Sequence, residues 1–142
     1  MSTTPQFAAT VHNTSTILST TAETNQGTPT QATSCYVAGA NGSKVEEIVA
    51  TVMTPSASLV TTTVASQVYI YLYNTATSAY FYFDTVAITA VTSNATTTAP
   101  YRSAPSRYPN LILNTGWDLY ASVSTEPSNN GKIVVHMFGG DY

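Results

Sequence analysis

Two aromatic, β-branched runs with a polar turn between them constrain this chain more than any other feature. Ser66–Tyr73 reads SQVYIYLY and Ala79–Asp84 reads AYFYFD, joined by Asn74–Ser78, NTATS. Runs of this kind flanking turn residues are a hairpin signal. Side chains alternate across a strand, so Val68, Ile70 and Leu72 share one face and Tyr69, Tyr71 and Tyr73 the other. Tyr80 and Tyr82 oppose Phe81 and Phe83 in the same way. One face suits a core, and the other is a row of tyrosines, apolar in body and polar at the tip.

The remaining sequence reads as further short strands. Gln31–Val37 and Val45–Met53 flank Ala38–Ser43, where Asn41-Gly42 predicts a hairpin turn. Val45–Met53 also has some helical character, but Val49, Thr51 and Val52 are β-branched and Pro55 follows closely, which favours a strand. Thr85–Thr92 is another alternating segment. Asn94–Pro109, with Pro100, Pro105 and Pro109, reads as a loop, followed by a short strand at Asn110–Leu113. Asn114-Thr115-Gly116 is a turn. Trp117–Thr125 is a strand with Leu119, Ala121 and Val123 on one face. Glu126–Gly131 is a second turn, and Lys132–Phe138 is the last strand. Phe7–Val11 and Ser15–Ser19 are candidate edge strands, or part of an arm that docks on a neighbour. The expected architecture is all-β: an antiparallel β-sandwich, jelly-roll-like, of seven to nine short strands. Residues 1–30 are expected to form a Thr-rich arm or edge strands, and residues 31–142 the sandwich.

Composition supports strands and narrows the function. Ser and Thr make up roughly three residues in ten, well above ordinary usage. Charged residues are only 8%, and long exposed helices are normally written in such residues. At 142 residues the chain is long enough to bury a core without a metal or disulfide. Its net charge is -3, and the four basic residues, Lys44, Arg102, Arg107 and Lys132, are dispersed. That is not the electrostatic footprint of a nucleic-acid binder. No apolar run approaches a membrane span, and the first residues read neither as a basic nor as an apolar leader segment. Neither a nucleic-acid partner nor a membrane is expected.

Chemistry is equally sparse. His12 and His136 are isolated in sequence, and His136 reads as a histidine satisfied on a strand surface. Asp84, Asp118 and Asp141 lie at expected strand ends, where turn capping is the ordinary role; their spacing is not that of a calcium loop. Cys35 is the only cysteine and reads as a buried, inert thiol, with an intersubunit bond as the alternative. The chain contains no G-x-S-x-G, P-loop or H-E-x-x-H motif. No cofactor, no metal and no catalytic residue is expected, and the chain is not expected to be an enzyme. The tyrosines are different. Tyr69, Tyr71, Tyr73, Tyr80 and Tyr82, with Phe7 and Tyr142, are candidate subunit-contact residues, because tyrosine offers large contact area at low entropy cost. A carbohydrate-binding face and a second buried layer between two sheets are the alternatives.

The C-terminal run NLILNTGWDLYASVSTEPSNNGKIVVHMFGGDY resembles the end of a group of small tailed-bacteriophage virion proteins encoded near head genes. Leu113, Gly116, Leu119, Ala121, Ser122, Ser124 and Gly139-Gly140-Asp141-Tyr142 carry the match. The upstream AGANGSKVEEI, Ala38–Ile48, resembles the group as well. The resemblance implies a β-sandwich virion protein attached to the capsid or a head-proximal structure, with no catalytic residues to transfer. A capsid decoration (cement) protein is the leading expectation, with the major capsid protein or other virion proteins as partners. A homo-oligomer is expected, with a trimer favoured. A neck, tail or head-fibre subunit and a carbohydrate-binding adhesin are the alternatives.

Overall fold

A computed structural model describes residues 10–53, 61–62, 64–90, 92–93, 103, 105–127 and 131–142. The expected hairpin is present: β5 (Ser66–Asn74) pairs antiparallel with β6 (Ala79–Ile88). Asn74 Oδ1 accepts from the Ala76 and Thr77 amides at 2.9 and 3.3 Å and so shapes the turn. The other strands are β1 (Thr10–Ile17), β2 (Thr33–Tyr36), β3 (Ser43–Met53), β4 (Thr61–Thr62), β7 (Thr92–Ser93), β8 (Ser106–Leu113), β9 (Trp117–Val123) and β10 (Lys132–Asp141). One antiparallel sheet has the order β1-β10-β3-β8 and the second has the order β2-β9-β5-β6. The two-residue strands β4 and β7 pair with each other. The chain is an all-β domain in which the two four-stranded sheets pack as a sandwich.

Alternation builds the core between the sheets. Ile133, Val135 and Met137 from β10 and Ala50 and Val52 from β3 form one wall; Val68 and Ile70 from β5 and Leu119, Ala121 and Val123 from β9 form the other. Fully burying one aliphatic side chain contributes roughly 1.5–3 kcal/mol, so this interleaved layer dominates the fold. Two register shifts keep it continuous. Val45 and Ile48 are three apart, so strict alternation would send one of them outward. A bulge beside Glu46 and Glu47 returns both to the core. A second bulge, between Ile70/Tyr71 and their partners on β6, lets Phe83, Val86 and Ile88 all pack inward although their parity differs.

Several connections differ from their expected form. Asn41-Gly42 does not close a hairpin, because β2 and β3 lie in different sheets. It is a corner, with Gly42 at φ 92° and its amide bonded to the Gly39 carbonyl at 2.9 Å. The links β8 to β9 and β9 to β10 likewise cross between sheets, so β5–β6 is the one hairpin among the long strands. Thr85–Ile88 continues β6 and is not a separate strand. β8 begins at Ser106, inside the expected loop, and Pro109 is accommodated because β8 is an edge strand that can spare an amide. Phe7, residues 94–102 and the Asn130 half of the second expected turn lie outside the described residues.

The C-terminal Gly139-Gly140-Asp141 run closes the first sheet. A side-chain carbon at Gly139 would sit 2.2 Å from the Lys44 carbonyl oxygen and 3.0 Å from the Tyr36 hydroxyl, so only glycine fits this approach of β10 to β3. Gly139→Ala is therefore expected to lower stability by roughly 2–4 kcal/mol, measured by urea denaturation. A change within a few tenths of a kcal/mol would show that the two strands are not this close.

Candidate functional site

The outward face of the second sheet is an aromatic network. Antiparallel partners share a face, and the ladder Ser34–Tyr120–Tyr71–Tyr82 runs across all four of its strands. The neighbouring rows are Ser122–Tyr69–Thr85 and Asp118–Tyr73–Tyr80. Tyr73 lies 4.6 Å from Tyr80 and 4.8 Å from Tyr120, centroid to centroid, and Tyr80 meets Tyr120 edge-on at 5.4 Å. Tyr71 makes edge contacts with Tyr80 and Tyr82 at 6.1 and 6.2 Å, and Tyr69 with Tyr82 at 6.1 Å. Such edge-on pairs contribute about 0.5–1.5 kcal/mol each beyond burial.

This face is not a free row of equivalent rings. Tyr71 is fully buried, with its hydroxyl 3.0 Å from the Ser122 hydroxyl, and burial raises its pKa. Tyr69, Tyr73 and Tyr80 are half-buried, whereas Tyr82 is 50% exposed. The layer lies outside the sandwich, not between its sheets. The chain segment before β2 approaches one end of it. There Glu23, buried, accepts from the backbone amides of Asn25, Thr30 and Gln31 at 2.9, 2.7 and 2.8 Å. Burial alone would raise the Glu23 pKa, but these bonds to the carboxylate outweigh it and the net shift is downward. The pinned segment places Gly27–Thr30 opposite Ser78–Tyr80 across an open cleft of about 450 Å³.

Of the residues expected at a contact surface, Tyr69, Tyr71, Tyr73, Tyr80 and Tyr82 come together. Tyr142 does not join them: its amide donates to the Gly42 carbonyl at 3.1 Å and its own carbonyl accepts from Asn41 Nδ2 at 3.2 Å, at the end of β10. Phe7 lies outside the described residues. Tyr120 is an addition, and its signal was the alternation that puts it opposite Leu119 and Ala121.

Pairing β10 with both β1 and β3 also creates a cluster that no sequence spacing reveals. Asp141 Oδ1 accepts from the Ser43 hydroxyl at 2.5 Å and lies 2.9 Å from His12 Nδ1, while the His12 ring packs 4.3 Å from Tyr36. The carboxylate stands between serine and histidine. A nucleophilic serine needs the imidazole in that position, so the arrangement ties strands together and does not activate Ser43. Ser43 also accepts from the Gly39 amide at 2.8 Å. His136 is satisfied by Ser15 at 2.8 Å and Thr51 at 3.0 Å. Asp118 accepts from the Ala38 amide at 3.2 Å. Asp84 is not at a strand end: it sits at the β6 bulge and accepts from the Thr85 amide and the Tyr108 hydroxyl, which links β6 to β8. Cys35 is buried, and burial pushes its thiol up to about 12. Among the described residues, no three His, Cys, Asp or Glu side chains converge as metal ligands. No protein-family model, curated protein or solved structure matches the chain.

The Ser43 hydrogen bond, with a further contribution from His12, holds the Asp141 carboxyl below its ordinary 3.8. A carboxyl more acidic in the folded chain stabilises the fold above its unfolded value and loses that contribution as pH falls through the lower folded value. Asp141→Asn is therefore expected to be less stable than wild type at pH 7 and to lose less stability on acidification below 3.8. Glu23 keeps its own share of the acid dependence in both proteins. Urea midpoints across that range check this, and equal acid slopes for the two proteins would contradict it.

Proposed function

We propose that the sandwich is a jelly roll and that the chain is a structural subunit of a tailed-bacteriophage particle, a capsid decoration (cement) protein bound to the outside of the shell. The observation that carries this reading is the nesting of strand pairs. With β4 and β7 set aside, the first long strand pairs with the last (β1–β10), the second with the next to last (β2–β9), the third with β8, and the two middle strands with each other. A long hairpin rolled over itself has this order, and every link except β5–β6 then crosses between sheets. The jelly roll is an architecture of viral capsid and lectin domains, so the step from fold to role is one of analogy. The resemblance at the C-terminus supports the same role. Its residues have physical work here, with Gly139 seated on the Lys44 carbonyl and Asp141 tied to Ser43 and His12.

A decoration subunit must fold alone and then hold neighbours over a large area. The described surface suits this: it is poor in charge yet exposes Val11, Ile17, Phe81, Tyr82, Ile112 and Phe138. The partners in this reading are the major capsid protein or other virion proteins, and further copies of the chain. A neck, tail or head-fibre subunit is the neighbouring reading. The half-exposed ring of Tyr82 on the tyrosine face favours one other, a carbohydrate-binding adhesin, because lectins share the architecture and sugars stack on open aromatic faces.

Imaging and quantitative mass spectrometry of the particles that carry this chain are expected to find many copies on the shell surface, in fixed ratio to the major capsid protein. Particles lacking it are expected to release their contents at a lower temperature. A few copies at one vertex or along the tail would replace the decoration role with the neck or tail one, and location at a fibre tip with the adhesin. Absence from particles would remove the virion reading altogether.

A further inference from the structure

We propose that the free edge of β1 pairs antiparallel with β1 of a second copy about a two-fold axis at Thr14, joining two four-stranded sheets into one of eight. This goes beyond the reading above and holds whatever particle or surface the chain serves. Open edges invite pairing and are normally blunted by proline, charge, bulges or brevity. Among the described residues, three of the four edges of the two four-stranded sheets are blunted in this way. β8 carries Arg107 and Pro109, β6 has a bulge at Asp84, and β2 has four residues and a shift at Cys35. β1 is different. It runs eight residues in unbroken register with β10, contains no Lys, Arg, Asp, Glu or Pro, and pairs with nothing else among the described residues.

The sequence of β1 says which strand fits. Its outward face alternates Val11, Asn13, Ser15 and Ile17, with Val11 78% and Ile17 52% exposed. In an antiparallel self-pair centred on Thr14, Val11 of each copy lies opposite Ile17 of the other, and Asn13 lies opposite Ser15. Shifting by two residues in either direction sets an apolar side chain against Ser15 or Asn13. The centred register therefore matches apolar with apolar twice by symmetry, and no like charges meet. Directly opposed cross-strand pairs of this kind contribute roughly 0.2–1 kcal/mol each.

A second, independent observation falls on the axis. The Thr14 hydroxyl is buried and has no hydrogen-bond partner. Such a group is costly to leave unsatisfied. At the centre of the self-pair a turn about χ1 would bring it from this covered position to the Thr14 hydroxyl of the other copy, and threonine pairs in that position can bond to each other.

Sedimentation equilibrium of the full chain at micromolar concentration is expected to show a dimer. Under oxidising conditions Thr14→Cys is expected to become disulfide-linked, as is an equimolar mixture of Val11→Cys and Ile17→Cys. Ile17→Cys alone is expected to stay unlinked, because its two copies would lie about 20 Å apart along the strands. Val11→Lys is expected to abolish the dimer, and Val11→Lys with Ile17→Glu to restore it, with circular dichroism checking that each variant stays folded. The exposed positions Val11 and Ile17 keep the test decisive if Thr14→Cys does not fold. A monomeric or trimeric wild type, linking of Ile17→Cys by itself, or a dimer indifferent to Val11→Lys would overturn the proposal. None of these outcomes bears on whether the chain is found in a particle.

Discussion

The approach of β10 to β3 governs the rest of the structure. β10 lies between β1 and β3, so the first sheet is completed only when the end of the chain inserts next to two strands formed from far upstream. Pairing of this kind is non-local and requires long loops to close before contacts stabilise it. At the tightest point the backbone of Gly139 lies directly on the Lys44 carbonyl. From there Asp141 reaches Ser43 on β3 and His12 on β1, and a single carboxylate holds three strands. Without β10 the β1 edge has no partner and the inner faces of β5 and β9 have half a core.

The two outward faces have different characters because the sheets are filled differently. On the second sheet the rings of six tyrosines stack on one another and bury Tyr71 completely, which makes the face a second apolar layer with Tyr82 at its margin. The Glu23 carboxylate fixes the segment that closes one end of that layer through three backbone amides. On the first sheet polar residues break up the outward face, with Ile17 opposite Val134. There His136 is held between Ser15 and Thr51, and Glu47 lies near Arg107 at 3.7 Å. The tyrosine layer thus braces its own sheet and leaves Tyr82 half-exposed. Val11 and Ile17 on β1 are exposed, as are Ile112 on β8 and Phe138 on β10.

Much of this was legible where one period ran unbroken. The β5–β6 hairpin, the strand character of β3 and the inward set of β9 follow from alternation and β-branching alone. The register slips did not show. A bulge appears in sequence only as a spacing of three, as between Val45 and Ile48, and that spacing also fits a helix. The turns were visible but their destinations were not, because Asn41-Gly42 has the same local chemistry whether it joins paired strands or crosses between sheets. The burial of Tyr71 depends on neighbours from three strands. The His12–Ser43–Asp141 cluster depends on the pairing of β1 with β10 and of β10 with β3, which no local pattern encodes.

Amide hydrogen exchange measures the central claim directly, because a strand paired on both sides opens only when the sheet does. The amides of Ile133–Met137 are expected to exchange among the slowest in the chain, at the rate set by global unfolding, together with the centre of β3. Edge amides in β8 are expected to exchange faster. Rapid exchange through β10 while β5 and β9 stay protected would contradict the account, because the first sheet would then persist without its closing strand.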